Sequence, residues 1–123
     1  MSAGAVGSLH VVDRLPEGLL EADARTLHRV LPGPTLIHLP GRRAEPLFVS
    51  ALLHGNEDVG LRAVQRLLQA YSARELPRAL SVFIGNVAAA RENLRRLEGQ
   101  PDYNRIWPGS DVARTPEHAV MEA

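Results

Sequence analysis

The spacing of apolar residues switches along this chain between strand-like and helix-like periods, and each switch marks an element. Leu9-His-Val-Val12 predicts a short strand, which Leu15-Pro16-Glu17-Gly18 breaks. Asp23 is placed to cap a short helix carrying Leu27, Val30 and Leu31, and Pro32-Gly33-Pro34 ends it. Thr35 to Leu39 alternates weakly and reads as a strand, and Arg42 to Pro46 reads as a polar turn. Leu47 to Leu53 is a near-continuous apolar run of strand length, the pattern of a strand covered on both faces. After Asp58 the period lengthens: Val64, Leu67, Leu68 and Tyr71 fall at i, i+3, i+4 and i+7, with Arg62, Arg66 and Gln69 between them. That pattern predicts an amphipathic helix ending near Ser72 to Ala73, before Leu76-Pro77. Leu80 to Ile84 predicts a further buried strand, stopped by Gly85-Asn86.

Strand, helix and strand in that order form a βαβ unit, whose crossover is right-handed in nearly all cases. Beyond it, Val87 to Arg96 has the composition for one or two helical turns, and Gly99 to Asp102 and Pro108-Gly109-Ser110 read as loops. Thr115-Pro116-Glu117 opens a helix with proline at its first position. That helix has barely begun at Ala123, so the expectation is the front part of a larger domain. The fold expected is α/β, a mixed, largely parallel sheet with flanking helices, truncated. Residues 47–109 form its motif-bearing core and residues 1–46 a lead-in.

Bulk composition narrows the function classes. The 123 residues balance 14 basic against 14 acidic side chains, so no net field recruits nucleic acid or an anionic membrane. Every basic residue is arginine, which a compositionally biased genome explains. Without cysteine there is neither a disulfide framework nor thiolate chemistry, which suits a reducing cytoplasm. No stretch approaches the roughly 20 apolar residues of a membrane span, and Met1 to Leu9 lacks the form of a signal peptide.

The chemistry concentrates where the run from Leu47 ends. His54-Gly-Asn-Glu57 places an imidazole and a carboxylate three residues apart at a strand exit, a donor pair that suits zinc. A surface pair at a helix start, with its carboxylate favoured by the helix dipole, is the ordinary alternative. The buried strand before it and the turn that Gly55 permits argue against that alternative. In parallel α/β sheets, ligand sites gather beyond the carboxyl ends of the strands, where Asn86 and Asp102-Tyr-Asn-Arg105 also fall. Asp-x-Asn-Arg alone is weak, since turns use the same residues. Among the remaining histidines, His118 reads as solvated surface, His38 as a sheet-face residue, and His10 and His28 as surface. Glu92 and Glu98 read as solvated helix-face carboxylates, and Trp107 as loop packing.

Taken together, His54-Gly-Asn-Glu57, Gly85-Asn86 with Ala88 to Ala90, the Arg95/Arg96 pair and Asp102-Tyr-Asn-Arg105 before Ile106-Trp107 resemble the succinylglutamate desuccinylase/aspartoacylase family, within the zinc carboxypeptidase superfamily. The resemblance covers about Leu47 to Gly109. It implies His54 and Glu57 as zinc ligands, with one zinc per full-length site. It further implies Asn104 and Arg105 as the grip on a substrate carboxylate, and Asp102 as the acid that orients the ligating histidine. Arg96, or alternatively Arg95, is implied to polarise the scissile carbonyl or bind substrate, while Asn86 shapes the loop and lines the site. The implied activity is hydrolysis of an amide linking an acyl group to an amino acid, by metal-activated water. A third zinc ligand and a general base are expected beyond Ala123. Two other readings stay open: a non-catalytic domain that binds carboxylates or a partner, and a metallopeptidase of the same superfamily. The partner expected is a small carboxylate substrate, and a sheet edge exposed by truncation invites self-association.

Overall fold

The computed structural model describes residues 3–6, 9–109 and 114–123. Strands β1 (Ala3–Val6), β2 (Leu9–Val12), β3 (Thr35–Leu39), β4 (Arg43–Ala51) and β5 (Arg78–Ile84) form one five-stranded mixed sheet in the order β1-β2-β3-β5-β4. β2 with β3 and β4 with β5 pair in parallel; β1 with β2 and β3 with β5 pair antiparallel. Helices α1 (Val59–Ala70), α2 (Val87–Arg91) and α3 (Pro116–Glu122) complete a mixed α/β fold. Ser110, the end of one expected loop, lies outside the described residues. No helix among the described residues is long and apolar enough to cross a membrane.

Each face of the sheet carries its own core. On one face, Leu61, Val64 and Leu68 of α1 cover Leu80, Val82, Ile84 and Ile37, and Leu27 and Leu31 close the cluster from the lead-in. On the other, Leu9, Phe83, Tyr103, Ile106, Val120 and Met121 come together under α3. β5 lies between the two clusters with a strand on either side, so its run from Leu80 to Ile84 is buried throughout. β4 differs. The sequence expectation was a strand covered on both faces, but β4 is the edge, and Leu47 and Phe48 are 51% and 53% exposed. An apolar run reports which side chains prefer burial, not how many neighbouring strands arrive to bury them. Arg43 to Pro46, expected in a turn, extends β4 through an irregular stretch of the ladder, with Arg78 Nε donating to the Glu45 carbonyl at 2.9 Å. Proline and charge at this end blunt an edge that would otherwise template pairing.

Two helical expectations shift. The segment after Asp23 is a chain of turns with a single 3-10 turn at Leu27–Arg29, where Asp23 and Thr26 bond to each other in place of capping a longer helix. On α1 the buried stripe is Leu61, Val64, Gln65 and Leu68, whereas Leu67 is exposed. Gln65 earns its inward position by hydrogen bonding: its amide donates to the carbonyls of Leu19 at 2.9 Å and Ala22 at 2.6 Å. Gln65→Ala leaves both acceptors without that donor and is expected to destabilise the fold by about 1–3 kcal/mol, read as a lower urea midpoint. Gln69→Ala removes only the exposed bond to the Leu20 carbonyl and is expected to stay within about 0.5 kcal/mol.

α3 begins as its sequence signals, with Pro116 in the first turn and a capping box at Thr115. The residue completing that box is His118, whose Nδ1 accepts from the Thr115 backbone N–H at 3.0 Å. His118 was expected on the surface and is instead 3% exposed. Its ring takes the place usually held by glutamate or glutamine, with Nδ1 satisfied by that local bond and the buried Nε2 left without a partner among the described residues.

Candidate functional site

β4 leaves the sheet at Ala51, and the turn after it brings His54 against two chain segments distant in sequence. Gly55 makes this approach fit. A Cβ there would lie 2.4 Å from the Ala90 nitrogen and 2.5 Å from both the Ala89 carbonyl carbon and the Leu94 oxygen. Gly55 N donates to the Arg95 carbonyl at 3.0 Å, tying the turn to the segment after α2. Glycine is required here for space, since its φ is not in the left-handed region.

The imidazole of His54 lies between two carboxylates. Its Nδ1 is 2.8 Å from Glu57 Oε1, and its Nε2 is 2.9 Å from both oxygens of Asp102. Asp102 also accepts from the backbone N–H of Asn104 at 2.9 Å, at the head of a 3-10 turn over Tyr103–Arg105. His54 and Asp102 are largely shielded, with side chains 11% and 15% exposed, while Glu57 is open at 62%. Burial alone would lower the His54 pKa, but the bonds to Glu57 and Asp102 outweigh it and hold the pKa above 6.5. Burial would raise the Asp102 pKa, yet the bond to His54 and the Asn104 N–H hold it below 3.8. Tyr103, buried beneath the turn, is pushed up to about 12.

This arrangement constrains what sits between Nδ1 and Glu57. With Nε2–H donating to Asp102, Nδ1 of a neutral ring presents a lone pair to a carboxylate that also only accepts. A cation must lie between them, either a proton or a metal ion. The nitrogen and oxygen donors and the anchoring of Nε2 fit zinc in this place. Asp102 binds the opposite nitrogen and does not join the same donor set. Among the described residues no group of three or more His, Cys, Asp or Glu is arranged to hold a metal ion.

The two adjacent arginines separate. Arg95 reaches Asp102 Oδ2 at 3.2 Å and Glu57 Oε2 at 3.6 Å, joining the two carboxylates across the imidazole. Arg96, which the family resemblance implies at the site, instead donates to the Gln100 carbonyl at 2.6 Å and stays outside the cluster. Asn104 lines a cleft of about 330 Å³ together with Ser50, Leu53, His54, Glu57 and Gly60. Its Oδ1 accepts from the Trp107 indole at 3.1 Å. Arg105 is exposed and does not line that cleft. Asn86 is buried and works as a structural clip: its oxygen caps α2 at Ala89 N, and its amide donates to Gln100 Oε1 at 3.0 Å. Larger hollows lie along α1, by Arg62 and Arg66, and beside α2, by His28 and Arg91. Neither contains the imidazole–carboxylate cluster, so the small cleft at His54 is the chemically equipped one.

Comparison with known proteins bears on the same segment. The family model described as Succinylglutamate desuccinylase/Aspartoacylase catalytic domain matches residues 43–123, well over half of the chain and every residue of the cluster. No curated protein and no solved structure gives a match.

Proposed function

The chain belongs to the succinylglutamate desuccinylase/aspartoacylase family of hydrolase domains, and from that premise we propose that it serves zinc-dependent hydrolysis of the amide of an N-acyl amino acid. The observation that carries this reading is the placement of His54, with Nδ1 facing Glu57 and Nε2 fixed by Asp102. His54 and Glu57 would hold the metal, with a third ligand and a general base expected from outside the described residues. When bound, zinc supplies a water of lowered pKa and a polarised carbonyl. Asp102 fixes the tautomer and angle of the ligating ring. Asn104 would meet the substrate carboxylate from the cleft wall, whereas Arg105, exposed and outside the cleft lining, would have to swing in to join it. Arg95 is the guanidinium within reach of the reacting centre, where positive charge stabilises a developing oxyanion. The cysteine-free composition suits work in the cytoplasm.

Zinc titration against a chromophoric chelator, paired with assays for amino-acid release from N-acyl amino acids, tests the proposal. The chain is expected to take up zinc weakly, because two protein donors among the described residues leave the ion under-coordinated. His54→Ala is expected to weaken that uptake by about tenfold or more. Equal uptake by the variant would remove the basis for the proposal. A second reading, a carboxylate-binding domain that works without metal, draws on the donor set of two among the described residues. Binding of N-acyl amino acids that a chelator leaves unchanged would favour it.

A further inference from the structure

Leu52, the first residue after β4, has a φ of +60°, in the left-handed region that a leucine rarely adopts. A buried, non-glycine residue persists there only when its surroundings hold it. Its side chain is 3% exposed within the cluster of Leu61, Val82 and Ile84. Its carbonyl accepts from Asn86 N at 2.8 Å, and the preceding carbonyl of Ala51 accepts from Gly85 N at 3.1 Å. The backbone is therefore pinned to the end of β5 on one side and to the core on the other.

The conformation has a geometric consequence for the site. Val49 lies opposite Val82 and Ala51 opposite Ile84, so these residues share the α1 face of the sheet. Regular alternation would carry Leu53 to that same face and Leu52 to the face of Phe83. The reverse is found: Leu52 joins the Val82 and Ile84 cluster, and Leu53 packs against the cluster of Phe83 and Tyr103. One left-handed residue inverts the side-chain order immediately before His54.

We propose that Leu52 is a positioning residue, whose buried side chain locks the inverted turn that delivers His54 Nε2 to Asp102. The chain uses no glycine for this left-handed step. Core burial of a side chain sets it instead, so the aim of the imidazole depends on packing several ångströms away.

The test separates shape from volume. Leu52→Met and Leu52→Ile keep a side chain of similar size, but the β-branch of isoleucine is least tolerant of a positive φ. The probe is the His54 ring in the metal-free full chain, read by 1H–15N NMR as a slowly exchanging Nε2–H bonded to Asp102. That resonance is assigned by its loss in His54→Gln. Leu52→Met is expected to retain it, and Leu52→Ile to lose it or to speed its exchange about tenfold or more while remaining folded. A retained resonance in folded Leu52→Ile, or equal loss in both variants, overturns the proposal. Should Leu52→Ile not fold, Leu52→Gly and Leu52→Ala decide, since both remove the buried side chain. Both are expected to lose the resonance or speed its exchange about tenfold or more, glycine included although it accepts the left-handed backbone. A resonance retained in folded Leu52→Gly overturns the proposal, because backbone freedom would then suffice without the packed side chain. A zinc measurement on the folded variants rests on the reading of His54 as a ligand, with affinity expected to fall about tenfold wherever the resonance is lost. Unchanged zinc affinity across all variants, with the resonance contrast intact, sinks the ligand reading and leaves the positioning role standing.

Discussion

Gly55→Ala is expected to destabilise the chain by at least about 3 kcal/mol and to dislodge His54 from Asp102. The new Cβ would meet three backbone atoms, the Ala90 nitrogen at 2.4 Å and the Ala89 carbon and Leu94 oxygen at 2.5 Å. None of these is the free end of a flexible side chain. Ala90 N donates to the Asn86 carbonyl at 3.0 Å, and Leu94 N to the Ala89 carbonyl at 3.0 Å, so moving them opens α2 and the bend after it. Moving the glycine instead breaks its own bond to the Arg95 carbonyl and carries His54 with it. Relief by either route costs a hydrogen-bonded turn. Gly33→Ala is the matched control, because a Cβ there meets nothing within 4 Å. It is expected to change stability by under about 1 kcal/mol. Urea unfolding of the two variants measures the contrast. Equal midpoints would show that the His54 turn has room the geometry denies.

That glycine also marks how far the sequence could be read. A glycine between His54 and Glu57 signalled a turn, and the turn exists, but the reason is a helix backbone pressed against it. Contact between segments separated by dozens of residues has no period to detect. The same limit explains the arginines. Arg95 and Arg96 are neighbours in an irregular segment, and the tertiary contacts alone tell them apart: the Arg95 carbonyl accepts from Gly55 N and its guanidinium reaches Asp102 and Glu57. α1, β5 and the start of α3 were legible because local rules govern them: an amphipathic period, a buried apolar run and a proline-led cap. β4 was legible as a strand but not as an edge, since strand order is a property of the whole sheet. His118 reads from its sequence context as surface, yet its ring is buried with Nδ1 bonded to the Thr115 backbone, and Gln65 turns inward because its amide bonds the carbonyls of Leu19 and Ala22. In the site, the i, i+3 spacing of His54 and Glu57 is local. The contact with Asp102 spans 48 residues and came only from family resemblance.

The imidazole and its two carboxylates give the metal-free chain a stability profile with two shoulders. The folded pKa of His54 lies above 6.5, so its coupling is fully present below 6.5 and is lost as pH rises through the folded value. The folded pKa of Asp102 lies below 3.8, so its coupling is fully present above 3.8 and is lost as pH falls through the folded value. Thermal stability is therefore expected to be greatest between about 4 and 6.5 and to fall on either side. Asp102→Asn removes the acceptor of charge at Nε2 while keeping shape and the bond from Asn104 N. It is expected to cost about 1–3 kcal/mol near pH 6 and progressively less as pH rises and His54 discharges in both proteins. Thermal melts of the two proteins from pH 3 to 9 make the comparison, and the two curves are expected to converge at the alkaline end. Parallel curves with a constant gap would mean that the Asp102 contact is a fixed packing term rather than a charge coupling. On the proposed reading, zinc would add the converse dependence, because the ion would compete with a proton for Nδ1. Uptake should weaken as pH drops through the His54 value, and Asp102→Asn, which lowers that value, is expected to carry metal binding to more acidic solution even as the ring loses its anchor. A zinc profile that does not move between the two proteins would separate the metal from His54 altogether.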